Sequence, residues 1–214
     1  MIRNTYYPPR QLKQLIPDDI KVINFGLSSS GSTFIYQILC DLYREGVIKT
    51  HSFYSSPRKV KVIATMRDFR DCVVSWHRRW FPETTALSDE AIKETGKKIL
   101  SEIESLRKYL VGHNCRLLRY EEFTTNPDVA FDAIEDLFDI RLPPSERTKM
   151  AEKHSIEANR KIAEVMSSFS QYDEESQIHG NHIHEGESVW EQFVPNQDLI
   201  NNIFGEALKE FKYL

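Results

Sequence analysis

The feature that most restricts this chain lies between residues 20 and 46, "IKVINFGLSSSGSTFIYQILCDLYREG". A β-branched apolar run passes through a knot of small residues into apolar positions at helical spacing. A strand that is apolar on both faces and feeds directly into a helix belongs in a parallel sheet, where the crossover helix covers the strand. The turn itself, Gly26-Leu27-Ser28-Ser29-Ser30-Gly31-Ser32-Thr33, has the glycine frame of the phosphate loop G-x-x-x-x-G-K-[ST], with Ser32 at the lysine position. Without that lysine, a triphosphate–magnesium complex loses its principal cationic contact. Small residues at a helix N-terminus still offer amides and hydroxyls to an anion, which suits a single phosphate or a phosphosulfate. On this segment alone, a serine-rich turn that merely caps its helix explains the residues equally well.

The rest of the chain repeats the alternation. Strands are expected at 47–51, 59–66 and 115–120, with helices at 32–46, 68–81 and 88–110. A further helix is opened by Asn126-Pro127, two helical stretches follow Pro143-Pro144, and a polar loop at 172–188 precedes a last helix at 196–212. The expected fold is α/β and three-layered: a mostly parallel central sheet, helices on both faces and a P-loop-like phosphosulfate-binding turn. A length of 214 residues favours one domain over 1–214, with 1–19 (Pro8, Pro9, Pro17) as an irregular lead-in. The net charge of −4 gives no overall attraction to nucleic acid, so anion binding must come from local clusters. Three scattered cysteines favour a reducing compartment. The lack of a signal-like apolar core or membrane-length apolar run leads to a cytoplasmic expectation with no membrane span.

Two clusters accompany the loop. Arg67 directly follows a strand, and Ser75 lies eight residues on along the next helix, so both can address one anion. Arg67 and Arg70 could equally pair with Asp68 and Asp71 on a helix surface. In "VIKTH", Lys49 and His51 fall on the same side of an extended segment, a charge-stabilising and acid/base pair at a strand end.

Together these segments resemble the PAPS-dependent, cytosolic-type sulfotransferases, whose donor is 3′-phosphoadenosine 5′-phosphosulfate. The similarity runs from about residue 20 to the C-terminus. Leu27 to Phe34 corresponds to the family's 5′-phosphosulfate loop, Lys49-Thr50-His51 to its Lys-Thr-His segment, and Arg67 with Ser75 to its 3′-phosphate segment. "LLRYEEFTTNP" places Tyr120 where a tyrosine meets the nucleotide, and "HIHEGESVWEQF" resembles the family's late loop, through Gly186, Trp190 and Phe193. The resemblance implies sulfuryl transfer from PAPS to a hydroxyl or amine, leaving PAP, without a metal. His51 would be the general base and Lys49 the charge-stabilising partner. The nucleotide would be held by Ser28, Ser29, Ser30, Gly31, Ser32, Thr33, Phe34, Arg67, Ser75, Tyr120, His184 and Gly186.

The departures are specific. Ser29 stands where the family's loop has lysine, His184-Glu185 where a basic pair is usual, and Phe34 where a tryptophan stacks on adenine. Either Lys49 carries more of the missing charge, a residue such as Lys59 or Arg78 makes it up, or transfer is slow; compensation is the expectation. A non-catalytic PAPS/PAP-binding module of the same fold is the alternative, and a small-molecule kinase is disfavoured by the absent lysine. The segment "HGNHIHEGE" contains His179, His182, His184, Glu185 and Glu187 at loose spacing, better read as a loop over the nucleotide than as a zinc site. Ser155 and Asn159 are further cofactor or acceptor candidates, or exposed helix residues. Trp76, His77, Arg79, Trp80 and Phe81 line an acceptor site or, as expected for most of them, pack in the core. The acceptor is a small molecule, glycan or lipid; the sequence names neither it nor an oligomeric state.

Overall fold

The computed structural model describes residues 5–6, 20–43, 45–54, 60–112, 114–180, 183 and 189–214. Five parallel strands form one sheet: β1 (Thr5–Tyr6), β2 (Val22–Gly26), β3 (Val47–Thr50), β4 (Lys61–Met66) and β5 (Asn114–Arg119), in the order β1-β3-β2-β4-β5. Side chains alternate strictly between two apolar clusters, as the pleat demands. Ile23, Phe25, Val62 and Ala64 join the cluster under helices α2 (Phe69–Trp80), α3 (Asp89–Gly112) and α8 (Gln197–Glu210). Val22 and Ile63 join the other, beneath α1 (Ser32–Leu42) and α5 (Asp128–Phe138). Helices thus cover both faces, the three-layer α/β arrangement expected for near-continuous apolar strands.

Local chemistry sets the boundaries. Asp68 caps α2 by accepting from the Arg70 amide, Ser88 accepts from Ala91 ahead of α3, and Asn196 accepts from Leu199 at the start of α8. Asn126 takes the Asp128 amide, so the asparagine closes the turn into α5 although the helix begins two residues later.

Several expectations need correction. Helix α1 ends at Leu42 rather than Gly46: Tyr43 is extended, and Gly46, at φ 87°, turns the chain into β3. A short helix α4 (Tyr120–Thr125) follows β5 immediately. Within the lead-in, Thr5–Tyr6 pairs with Ile48–Lys49 as an edge strand; residues 1–4 and 7–19 lie outside the described residues. Helices α6 (Pro144–Lys153) and α7 (Ile156–Ala163) follow the double proline. Trp80 is 47% exposed and Phe81 58% exposed, so neither is a core residue. Among the described residues no helix is long and apolar enough to cross a membrane.

Candidate functional site

In a parallel sheet, the C-terminal strand ends and the helix N-termini gather on one edge, and here β2, β3 and β4 deliver their chemistry there. The turn from β2 to α1 folds back on itself so closely that a Cβ on Gly26 would sit 2.3 Å from Ser32 Cβ and 2.8 Å from Thr65 Oγ1. Ser29 and Gly31 take left-handed backbone at φ 70° and 73°, and a Cβ on Gly31 would meet the Phe123 ring at 2.7 Å. The first amides of α1 have no acceptor within the helix and face this turn.

Its serines have different partners. Ser28 gives its amide to Glu102 Oε2 (2.7 Å) and its hydroxyl to Oε1 (2.8 Å), and Lys98 Nζ stands 2.6 Å from the same hydroxyl while ion-paired with Glu102. Ser30 bonds the Leu27 carbonyl (2.7 Å) and Thr65 Oγ1 (2.6 Å). Ser32 is buried against Gly26. Ser29 is only 8% exposed, and its Oγ is a buried atom without a hydrogen-bond partner among the described residues. Such an atom is costly unless something else completes it.

Lys49 and His51 attach to opposite ends of the turn. Lys49, 5% exposed, donates from Nζ to Thr33 Oγ1 at 2.6 Å. Burial, reinforced by the Arg79 charge, pushes its amine down to about 7. His51 Nδ1 lies 2.5 Å from the Gly26 carbonyl. A carbonyl can only accept, so Nδ1 carries the proton and the ring's basic lone pair is on Nε2. Burial depresses the imidazole to about 4, opposed by the nearby Glu102 carboxylate.

A cleft of about 1100 Å³ opens beside the turn. Ser29, Gly31, Thr33, Phe34, Arg67, Ser75 and Tyr120 line it, whereas Ser28, Ser30, Ser32, Lys49 and His51 stand behind or beside its wall. His184 and Gly186 lie outside the described residues, as do His182, Glu185, Glu187 and Lys59. Phe34 stacks at 6.0 Å on Phe123, which meets Tyr120 edge-on at 5.8 Å. Arg67 spreads over the Tyr120 ring at 4.5 Å and bonds Asp71 at 3.5 Å. Both readings of the arginines therefore coexist: Arg70 forks onto Asp68, while Arg67 pairs with Asp71 and still faces the cleft. Burial raises Asp71 to about 6 against the pull of Arg67, and Asp71 also accepts the Trp190 amide at 3.0 Å.

Ser155 and Asn159 both reach the cleft, but Ser155 caps α7 and Asn159 exchanges amide hydrogen bonds with Gln37. Arg78 covers the Phe193 ring at 4.6 Å and does not line the cleft. Arg79 does line it, 8% exposed, with Phe169 at 5.5 Å. From the sequence, Arg79 belongs to a patch that lines an acceptor site or packs in the core, and neither Glu102 nor Lys98 stands out. Arg79 was recoverable, since it lies one helical turn beyond Ser75; nothing in the surrounding charge pattern marks Glu102. Among the described residues no group of three His, Cys, Asp or Glu side chains is placed to hold a metal ion.

A parallel α/β sheet with a glycine-framed turn and an arginine- and carboxylate-lined cleft at its C-terminal edge is the arrangement in which open α/β sheets bind ligands. A model of the sulfotransferase domain matches residues 44–212, and the chain belongs to that family. The match begins after the glycine-framed turn. Two solved structures share the fold: mouse sulfotransferase SULT7A1 complexed with PAP (TM-score 0.66, 16% identity, 92% of this chain and 90% of that one) and retinol dehydratase in complex with androsterone and the inactive cofactor PAP (TM-score 0.65, 14% identity, 91% and 82%). Among curated proteins, no sequence match is found.

Proposed function

We propose that this chain transfers a sulfuryl group from PAPS to a hydroxyl or amine of a small-molecule, glycan or lipid acceptor. The observation that carries the reading is Lys49: a buried amine bonded to Thr33 Oγ1, in the first turn of α1, where an anion would gain both the amine and the helix N-terminus. The unsatisfied Ser29 Oγ at the cleft wall is a further donor that a phosphosulfate oxygen would complete. Arg67 and Ser75 would take the 3′-phosphate, and Phe34 and Ile156 present apolar surface to the cleft for the adenine.

Within that arrangement each side chain has a defined task. His51 Nε2 takes the acceptor's proton as the acceptor atom bonds to sulfur. Lys49 and the first α1 amides stabilise the 5′-phosphate oxygen that keeps the electron pair of the broken S–O bond, which leaves PAP. A dianion arriving beside His51 would raise its affinity for a proton, turning a weak base into an adequate one.

Transfer of ³⁵S from labelled PAPS to an acceptor panel tests this directly. Wild type should transfer and should prefer PAP to AMP in calorimetry, whereas His51→Ala should retain PAP binding and lose turnover by about 10²–10⁴. Equal affinity for PAP and AMP would sink the assignment. A second reading, a binding module without turnover, is favoured by the serine at position 29; tight PAP binding with no transfer to any acceptor, or to water, would establish it.

A further inference from the structure

Ser155, Ile156 and Asn159 place the start of α7 in the cleft wall, yet the core does little to hold it there. Among the described residues, α6 buries none of its side chains and α7 buries only Asn159 and Ala163. What ties this wall to the phosphate-turn helix is a pair of buried amides. Gln37 on α1 donates from Nε2 to Asn159 Oδ1 at 2.9 Å, and Asn159 Nδ2 donates back to Gln37 Oε1 at 3.0 Å. The second hydrogen of each amide is also used: Gln37 reaches the Ser176 carbonyl at 3.1 Å and Asn159 the His154 carbonyl at 3.0 Å. With every donor hydrogen placed, each group has a single satisfied orientation. We infer that Gln37 and Asn159 are positioning residues that set the gap between Phe34 and Ile156, the two apolar faces offered to the nucleotide base.

Helical spacing makes the link direct. Phe34 lies three residues before Gln37 on α1, and Ile156 three before Asn159 on α7, so each amide sits about one turn behind one face of the slot. Phe34 lines the cleft while stacked on Phe123 at 6.0 Å, and Ile156 lines it at 46% exposure. A planar base gains from two such faces only while it touches both, and a gap wider by about 0.5–1 Å forfeits roughly a quarter to a half of the attraction on one side. Apolar packing has no preferred direction and would leave that gap loosely defined, whereas paired amides hold length and angle together. The bond to Ser176 brings in the segment just ahead of Ile178, which lines the same cleft. A second tie, from Asp41 to Lys153 and His154, is exposed and lies at the far end of α1 from Phe34, so it anchors α6 without setting the slot.

This inference rests on the sulfotransferase reading, and the choice of ligands separates the two. Calorimetry compares PAP with an abasic analogue, ribose carrying the same two phosphates and no base. Gln37→Asn, which shortens one arm of the pair by a methylene, should weaken PAP about three- to tenfold and leave the analogue within about twofold. Gln37→Met combined with Asn159→Leu replaces both amides by apolar shapes and strands neither, so thermal stability should stay close to wild type. The same pair should weaken PAP about tenfold, and it should raise KM for PAPS by more than it lowers kcat. Gln37→Asn combined with Asn159→Gln rebuilds the reciprocal bonds at the same total length and should recover PAP affinity to within about threefold of wild type. Equal losses for PAP and the analogue, or no loss of PAP affinity in the apolar pair, would reduce the amides to a structural tie and overturn the inference while leaving sulfuryl transfer intact. Failure of wild type to distinguish PAP from AMP would overturn both.

Discussion

Two basic groups at the cleft, Arg67 in its lining and Lys49 behind or beside its wall, are charged alike but wired differently. At the Arg67 end, the guanidinium lies over Tyr120 and bonds Asp71, whose other oxygen ties down the Trp190 amide. At the Lys49 end, the amine bonds a threonine hydroxyl, and burial together with the Arg79 charge holds it down to about 7. The first end is neutralised in advance, so a phosphate arriving there must displace a carboxylate. The second holds a buried amine bonded to a neutral hydroxyl, so an anion arriving there would favour its charged form.

The largest test of this contrast is Lys49→Met. Turnover should fall about 10²–10³-fold, while the ligand-free protein should melt higher, because a desolvated amine is replaced by an apolar chain of similar length. The pH signature has a definite sign. With its folded pKa near 7, Lys49 holds fewer protons in the native than in the unfolded chain between about pH 7 and the ordinary lysine value. Stability therefore rises with pH across that window, and Lys49→Met should remove this contribution.

Next in size is Asp71→Asn. Freed of its carboxylate, Arg67 should bind PAP about tenfold more tightly at pH 7. In wild type the same gain should appear as pH falls through about 6, where Asp71 takes up a proton, and the variant should flatten that dependence. Loss of affinity instead would mean that Asp71 positions Arg67 rather than competing for it. A smaller effect is proton uptake. At pH 8 PAP should bind with uptake of up to about one proton, because anion binding restores the charge on Lys49. Calorimetry in two buffers of different ionisation enthalpy reads this number, and Lys49→Met should abolish most of it. The smallest expected change is Ser75→Ala, a neutral donor at the neutralised end, which should weaken PAP by about 1 kcal/mol.

Much of the architecture was legible because the strands are buried on both faces. Largely apolar runs at 22–26 and 61–66 leave little choice but a parallel sheet, and α2, α3, α7 and α8 start at capping side chains in the sequence. What stayed hidden depends on the third dimension. "YEEFTT" continues a strand smoothly and becomes a helix only through its packing beside the turn, where Phe123 and Tyr120 close over Gly31. Candidate site residues on contiguous segments, such as Ser29 to Phe34, announce themselves by type and spacing. Glu102 does not: on a long charged helix it looks solvated, and only the fold brings it to Ser28, 74 positions earlier.

That distant grip has a practical consequence. Helix α3 is lashed at its far end to α8 through Arg107 and Glu210, and at residue 102 it holds the backbone on which the chemistry is mounted. A selection for transfer-deficient clones should therefore recover lesions in a helix that carries none of the assigned chemistry. Glu102→Gln, which keeps shape but gives up charge, belongs among the first to be sequenced.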